Sequence, residues 1–266
     1  TMAGVQDFVE FCEDFLGPQT LTASPTGSDL WDIADTSSAG TPTYTVGGIN
    51  GEATLAFSST SEIQNVCLFQ SDVLNWDIDL LQRIEMRVKV TAEVGGTLDS
   101  ATSVAFGLAT ARNDAIDSIT AHASIRAIGS NAIVVETDDG TTDKDDVVTG
   151  VSFTSGTYKK FVIDFTGGKS DVKFYIDGTR VAAATTFSMA AHATGLQPYV
   201  QLQKTADANV DSVTIDYIKI VQPACLCNSI MHIRSNFCYV SNFYQYCKQF
   251  AVTFRFIFGN GDLFTP

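Results

Sequence analysis

The 266-residue sequence is 45% hydrophobic and 17% charged, enough apolar material for one large all-β domain or two ordinary ones and too much for a long disordered chain. Its formal charge of −14 comes without any cluster of Lys and Arg able to displace counterions, which excludes nucleic acid as an expected partner. No apolar run approaches the roughly 18 residues of a membrane-crossing helix, and the acidic opening with Asp7, Glu10, Glu13 and Asp14 does not read as an export signal, so no membrane partner is expected.

Val5, Phe8, Val9, Cys12 and Leu16 follow helical spacing, whereas Phe11, Glu13 and Phe15 alternate. The two patterns predict an N-terminal arm over residues 1–10, a short helix or irregular lead, running into a first strand that stops at Gly17-Pro18. Thr43 to Val46 and Thr54 to Ser58 flank Gly47-Gly48-Ile49-Asn50-Gly51, where Asn-Gly supplies the positive φ angles of a tight hairpin. Ile84, Met86, Val88 and Val90 alternate with Glu85, Arg87 and Lys89, a half-buried strand.

Val104 to Ala109, Ala123 to Ile128 and Ala132 to Thr137 continue the series of short strands, broken at Gly129-Ser130-Asn131. Phe161, Ile163 and Phe165 share one face, Gly167-Gly168 turns the chain, and Val172, Phe174 and Ile176 share the next. Asp177-Gly178 closes a hairpin into Thr179 to Ala183, and Tyr199 to Lys204 and Val213 to Val221 complete the set, the last with Val213, Ile215 and Tyr217 on one side. With no long helix between the strands, parallel βαβ crossovers are excluded and a two-sheet sandwich remains over residues 11–221.

Residues 222–266 change character. Ten aromatics crowd a segment whose only acid is Asp262, and the composition reads either as an appendage that docks on a partner or as the product of a reading-frame slip. Cys225, Cys227, His232, Cys238 and Cys247 in this irregular tail offer zinc-type ligands at a spacing that matches no standard finger, whereas the body, with Cys12 and Cys67 alone, has no disulfide framework and suits a reducing compartment.

Phe11-Cys12-Glu13-Asp14-Phe15-Leu16-Gly17 with Trp31, Tyr158 to Phe165, and Val172-Lys173-Phe174-Tyr175-Ile176-Asp177-Gly178 resemble the concanavalin A-like lectin/glucanase superfamily, which includes laminin-G-like domains. The segments Asp77 to Val90, Phe106 to Asp114 and Val135 to Asp143 look like the form found in capsid decoration, or cement, proteins of tailed bacteriophages. The resemblance implies a jelly roll of two curved antiparallel sheets. It also implies a virion location, attachment to the major capsid protein of a shell, and assembly as a homotrimer.

Glycoside hydrolysis requires two carboxylates at a set separation, and the Glu-x-Asp-x-Glu strand of glucanase-like members is missing. Glu85 stands alone, Asp77 and Asp79 lie in the loop before it, and Glu136-Thr137-Asp138 runs into Asp-Gly turn chemistry, so no enzyme is expected. His122, His192 and His232 are isolated, without a nucleophile elbow. Asp138, Asp139, Asp143 and Asp145, with Asp146 beside them and Gly140 to bend the chain, form the candidate calcium loop, although Lys144 interrupts it and a plain acidic surface loop fits the same residues. Trp31, Trp76, Tyr44 and Tyr175 are the candidate sugar platforms, set against packing between the sheets. The leading expectation is a capsid-stabilising virion protein; the alternative is a carbohydrate-binding adhesion module.

Overall fold

The computed structural model describes residues 8–17, 20–23, 30–47 and 51–223. Sixteen strands are formed among them: β1 (Phe8–Glu13), β2 (Asp32–Asp35), β3 (Thr43–Val46), β4 (Ala53–Ala56), β5 (Glu62–Phe69), β6 (Trp76–Asp77), β7 (Arg83–Thr91), β8 (Thr102–Ala109), β9 (His122–Ile128), β10 (Ala132–Asp138), β11 (Asp143–Ser152), β12 (Lys159–Asp164), β13 (Lys173–Ile176), β14 (Thr179–Val181), β15 (Gly195–Asp207) and β16 (Ser212–Pro223). The only helix among the described residues is a 3-10 turn, Ile116–Ser118. None is long and apolar enough to cross a membrane.

The strands build two antiparallel sheets packed as a sandwich. The first runs β14-β13-β12-β7-β16-β4-β3, with β1 beside β16; the second runs β11-β10-β9-β8-β15-β5-β2, with β6 on β15. Alternation explains the first sheet directly. Ile84, Met86, Val88 and Val90 of β7 turn inward beside Phe161 and Ile163 of β12 and Phe174 and Ile176 of β13. They meet Val104, Phe106 and Leu108 of β8, Ile125 of β9 and Val200 and Leu202 of β15 in one continuous core. Phe106 and Phe161 close it edge to face, with ring centroids 4.9 Å apart.

Several features differ from the sequence reading. Phe8, Val9 and Glu10, assigned to the arm, form the first half of β1 and pair with Pro223, Gln222 and Val221. Tyr217 does not share a face with Val213 and Ile215: the register of β16 shifts between Ile215 and Tyr217, so Ile215 and Ile218 both point inward while the Tyr217 hydroxyl donates to Glu85 outside, 2.7 Å away. Asp143 to Asp146, read as a loop, begin the edge strand β11. The Gly48 to Asn50 turn, the Pro18 stop and the tail from residue 224, including its zinc-type ligands, lie outside the described residues.

The two sheets differ on their outer faces. The first carries charges paired over its surface, such as Arg87 with Asp216 and Lys89 with Glu52. The second is not open to water in the same way: β5, β8, β9 and β15 are buried on both faces over most of their length. Residues 110–121, the connection from β8 to β9, supply part of the cover.

Candidate functional site

Pairing register aligns the outer face of the second sheet in rows. One row holds Asp138, His122, Ala109 and Gln197; the next Glu136, Ser124, Gly107, Tyr199 and Phe69; a third Val134, Arg126, Ala105, Gln201 and Cys67. Onto this face the 110–121 connection lays Ile116 and Ile119, which pack with Ala34, Cys67, Phe69, Ala105, Ala109 and Tyr199 in a second, smaller apolar cluster.

At the β9-β10 side the face becomes ionic. Arg126, 2% exposed, donates through Nη1 to Glu136 and through Nη2 to Asp117 of the connection. His122 Nε2 lies 2.7 Å from Glu136 Oε1, and its Nδ1 is 3.3 Å from the Ile119 carbonyl oxygen. Burial opposes the charge of Glu136, but the His122 hydrogen bond and the Arg126 guanidinium outweigh it and hold the carboxyl below its usual range. Asp146, 3.4 Å from Arg126 Nη1, is held above its usual range, chiefly by burial.

Beside this network a recess of about 390 Å³ opens between residues Asp117, Ser118, Ile119 and Thr120 of the connection and Asp138, Gly140, Thr141 and Asp143 of the β10-β11 turn. Three acidic and three hydroxyl-bearing residues line it. Burial, followed by the neighbouring charges of Glu136 and Asp138, raises the Asp143 carboxyl.

The structure divides the candidate calcium residues. Asp138 and Asp143 line the recess. Asp139 is used otherwise: its carboxylate accepts the backbone N–H groups of Thr141 and Thr142 and, at 3.0 Å, that of Ala191, which ties the turn to the segment before β15. Asp145 joins Glu136 and Asp146 in a group whose oxygens lie within 4.8 Å of one another. The Arg126 guanidinium stands among the same oxygens, so a divalent ion would have to compete with it for them.

The aromatic candidates sit elsewhere. Trp31 and Trp76 are buried in the main core, their indole N–H groups donating to Glu13 and Gln70. Tyr44 packs against that core from β3, and Tyr175 lies half-buried on β13, opposite Val162 and Arg180. None of the four lines the recess. Arg126 was missed by sequence reasoning, although a lone arginine at a polar position of the Ala123 to Ile128 strand, one strand from Glu136, was the available signal.

No family model matches this sequence, and no curated protein does. Solved structures do. The carbohydrate recognition domain of Emp47p shares 11% identity over 79% of this chain and 93% of its own, with a TM-score of 0.52. The fold is that of the concanavalin A-like jelly rolls. The exoplasmic/lumenal domain of VIP36, in its Ca2+/Man-bound form, shares 11% identity over 83% of this chain and 92% of its own, TM-score 0.49. A glycoside hydrolase family 16 endo-glucanase from Bacteroides ovatus shares 13% over 79% and 99%, TM-score 0.49. Identities this low establish a shared fold and leave the ligand to the site itself.

The expectation that this chain is not an enzyme is corrected by these structures, because the jelly-roll fold is shared with glycoside hydrolases. Its premise was local in sequence. It looked for paired carboxylates along one strand, whereas pleated sheets bring Glu136, Asp145 and Asp146 together from two strands.

Proposed function

We propose that this chain is a carbohydrate-binding domain of the lectin-like kind, with its ligand seated in the recess between residues 117–120 and the β10-β11 turn. The observation that carries the reading is the lining. The acidic residues Asp117, Asp138 and Asp143 and the hydroxyl-bearing Ser118, Thr120 and Thr141 line a space within the roughly 300–1,000 Å³ of small-ligand pockets. A carboxylate accepts two hydrogen bonds side by side, which matches the vicinal hydroxyls of a sugar ring, while the same acidic wall repels phosphate and other anions. The carbohydrate recognition domain of Emp47p and the mannose-bound VIP36 domain share this architecture and support the choice.

Calcium enters this proposal as a competitor of Arg126 at Glu136, Asp145 and Asp146. A glycan array, followed by calorimetry with glucose, mannose and their oligosaccharides, tests the reading. Binding should appear and weaken at least tenfold in Asp138→Asn and in Asp143→Asn. A flat array from folded protein, or unchanged affinity in both variants, would reject it.

A second reading is attachment to a viral shell as a trimeric capsid decoration protein in the virion. It is favoured by β1, which pairs on one side only among the described residues and presents Phe8 and Val9, 54% and 45% exposed. Co-sedimentation with purified capsids, with and without Phe8→Ser, distinguishes it: no binding to shells, or binding indifferent to Phe8, counts against it.

A further inference from the structure

Residues 110–121 are more than a connection between β8 and β9. The ends of the segment are clamped together, Thr110 N–H donating to the Ala121 carbonyl at 2.9 Å and Ala121 N–H to Thr110 Oγ1 at 3.3 Å. Between them the only regular structure is the single 3-10 turn, so little backbone hydrogen bonding holds the segment to itself. It is held to the sheet by side chains instead. Gln201 Nε2 donates to the Asn113 and Asp114 carbonyls, Gln197 Nε2 to the Thr110 carbonyl, and Asn65 Nδ2 to Asp114, while Ile116 fills the apolar patch beside Cys67 and Tyr199.

The face beneath is poorly satisfied while it is covered. Gln201 Oε1 and Arg126 Nε are buried without a hydrogen-bond partner, on residues 0% and 2% exposed. A buried polar atom that has given up water and gained nothing destabilises the closed form. These atoms lie on β9 and β15, the two strands that flank β8, and extend the same surface from which the recess opens.

We propose that residues 110–121 form a displaceable plug, hinged at the Thr110-Ala121 clamp. The face under it, centred on Ser124, Arg126, Tyr199 and Gln201, is a polar binding surface that a longer saccharide reaches by displacing the plug. The ligand half of this inference rests on the carbohydrate reading of the recess; the motion does not. A monosaccharide fits the recess with the plug closed. An oligosaccharide pays for opening, so its apparent affinity is reduced by the fraction of molecules that are open. Donors and acceptors left idle in the closed form, Arg126 and Gln201 on the two sides of Ala105, then meet sugar hydroxyls.

Cys67 reports the motion in the full-length chain, since it is wholly buried in the apolar patch under Ile116, while Cys12 is exposed and serves as an internal standard. Ile116→Ala removes the apolar seat, and Asp114→Ala removes a contact of the half-exposed Asp114 with Asn65 and Arg112, without touching the core or the recess. Alkylation of each cysteine is followed by peptide mass spectrometry in urea too dilute to unfold the chain. Cys67 should react several-fold faster in both variants, while β8 and β15 amides keep their protection from hydrogen exchange. Cellotetraose and mannotetraose should bind the variants several-fold more tightly, with glucose and mannose unchanged. Cys67 reacting only at the rate of global unfolding in all three proteins would overturn the plug, whether or not sugar binds. Faster Cys67 with tetrasaccharide affinity unchanged would overturn the surface beneath it. Faster Cys67 with no saccharide bound at any length would reject the carbohydrate reading and leave the plug standing.

Discussion

Arg126 of β9 and Glu136 of β10 form an ion pair on adjacent strands with both side chains almost wholly removed from water, 2% and 3% exposed. The pair joins three parts of the molecule, since Arg126 also grips Asp117 of the plug and faces Asp146 of β11. A buried pair of this kind contributes little net energy when intact and costs heavily when half of it is removed.

Arg126→Ala should therefore destabilise the fold by about 3–5 kcal/mol, because it leaves the Glu136 carboxylate buried without its cation, and Glu136→Ala should cost less, because Arg126 keeps Asp117 and Asp146. The double change Arg126→Met with Glu136→Leu should cost much less than the sum. Urea unfolding of the four proteins measures this, and additive losses would show that the two residues act independently.

Acid should loosen this corner of the sheet. Burial works against the Glu136 charge, but His122 and Arg126 prevail and place its folded pKa below the unfolded value of about 4.3. Its contribution is thus complete above that unfolded value and is lost as pH falls from there through the folded one. Asp143 and Asp146, raised chiefly by burial, act in the opposite direction, so the informative quantity is the difference in stability between the original chain and Glu136→Gln. That difference should shrink on acidification; a constant gap down to pH 3 contradicts the assignment.

Calcium should discriminate between the original chain and an arginine variant. With Arg126 in place, its guanidinium balances the carboxylates of Glu136, Asp145 and Asp146, and thermal midpoints in calcium and in chelator should coincide. Arg126→Ala leaves three oxygens within 4.8 Å of one another and should gain a calcium-dependent rise in midpoint. The reverse pattern would mean that the ion, and not the guanidinium, organises the cluster.

Gly107 sits between Ser124 and Tyr199 in the covered face, at a φ of +146°, and a Cβ there would lie 2.3 Å from the Ala123 carbonyl oxygen. Gly107→Ala should cost about 1–3 kcal/mol from backbone strain, and more if the Ala123 carbonyl cannot shift. Chemical denaturation checks it, and a neutral result would mean that β8 relaxes freely at this point.

What could be read in advance followed from one-sided burial. Ile84 to Val90 and Val172 to Ile176 alternate because their outer residues meet water, so period two is written in the chain. β5 went unread because Gln64, Asn65, Val66, Cys67, Leu68 and Phe69 are all buried, the inward ones by the opposite sheet and the outward ones by the plug and adjoining loops, which erases alternation. β11 was hidden for the opposite reason: Asp143-Lys144-Asp145-Asp146 has turn composition, and its strand geometry comes from pairing with β10.

Local pattern alone thus determined an all-β two-layer body, its principal strands and several of its turns, since alternation and turn chemistry act between residues close in the chain. Tertiary structure decided which polar residues became a site. Arg126, Glu136, Asp117 and Asp146 come from four different segments, and whether such charges are solvated singly or desolvated together depends on strand order, register and the chain segment laid over them. Those are long-range outcomes of packing that no local window of sequence contains.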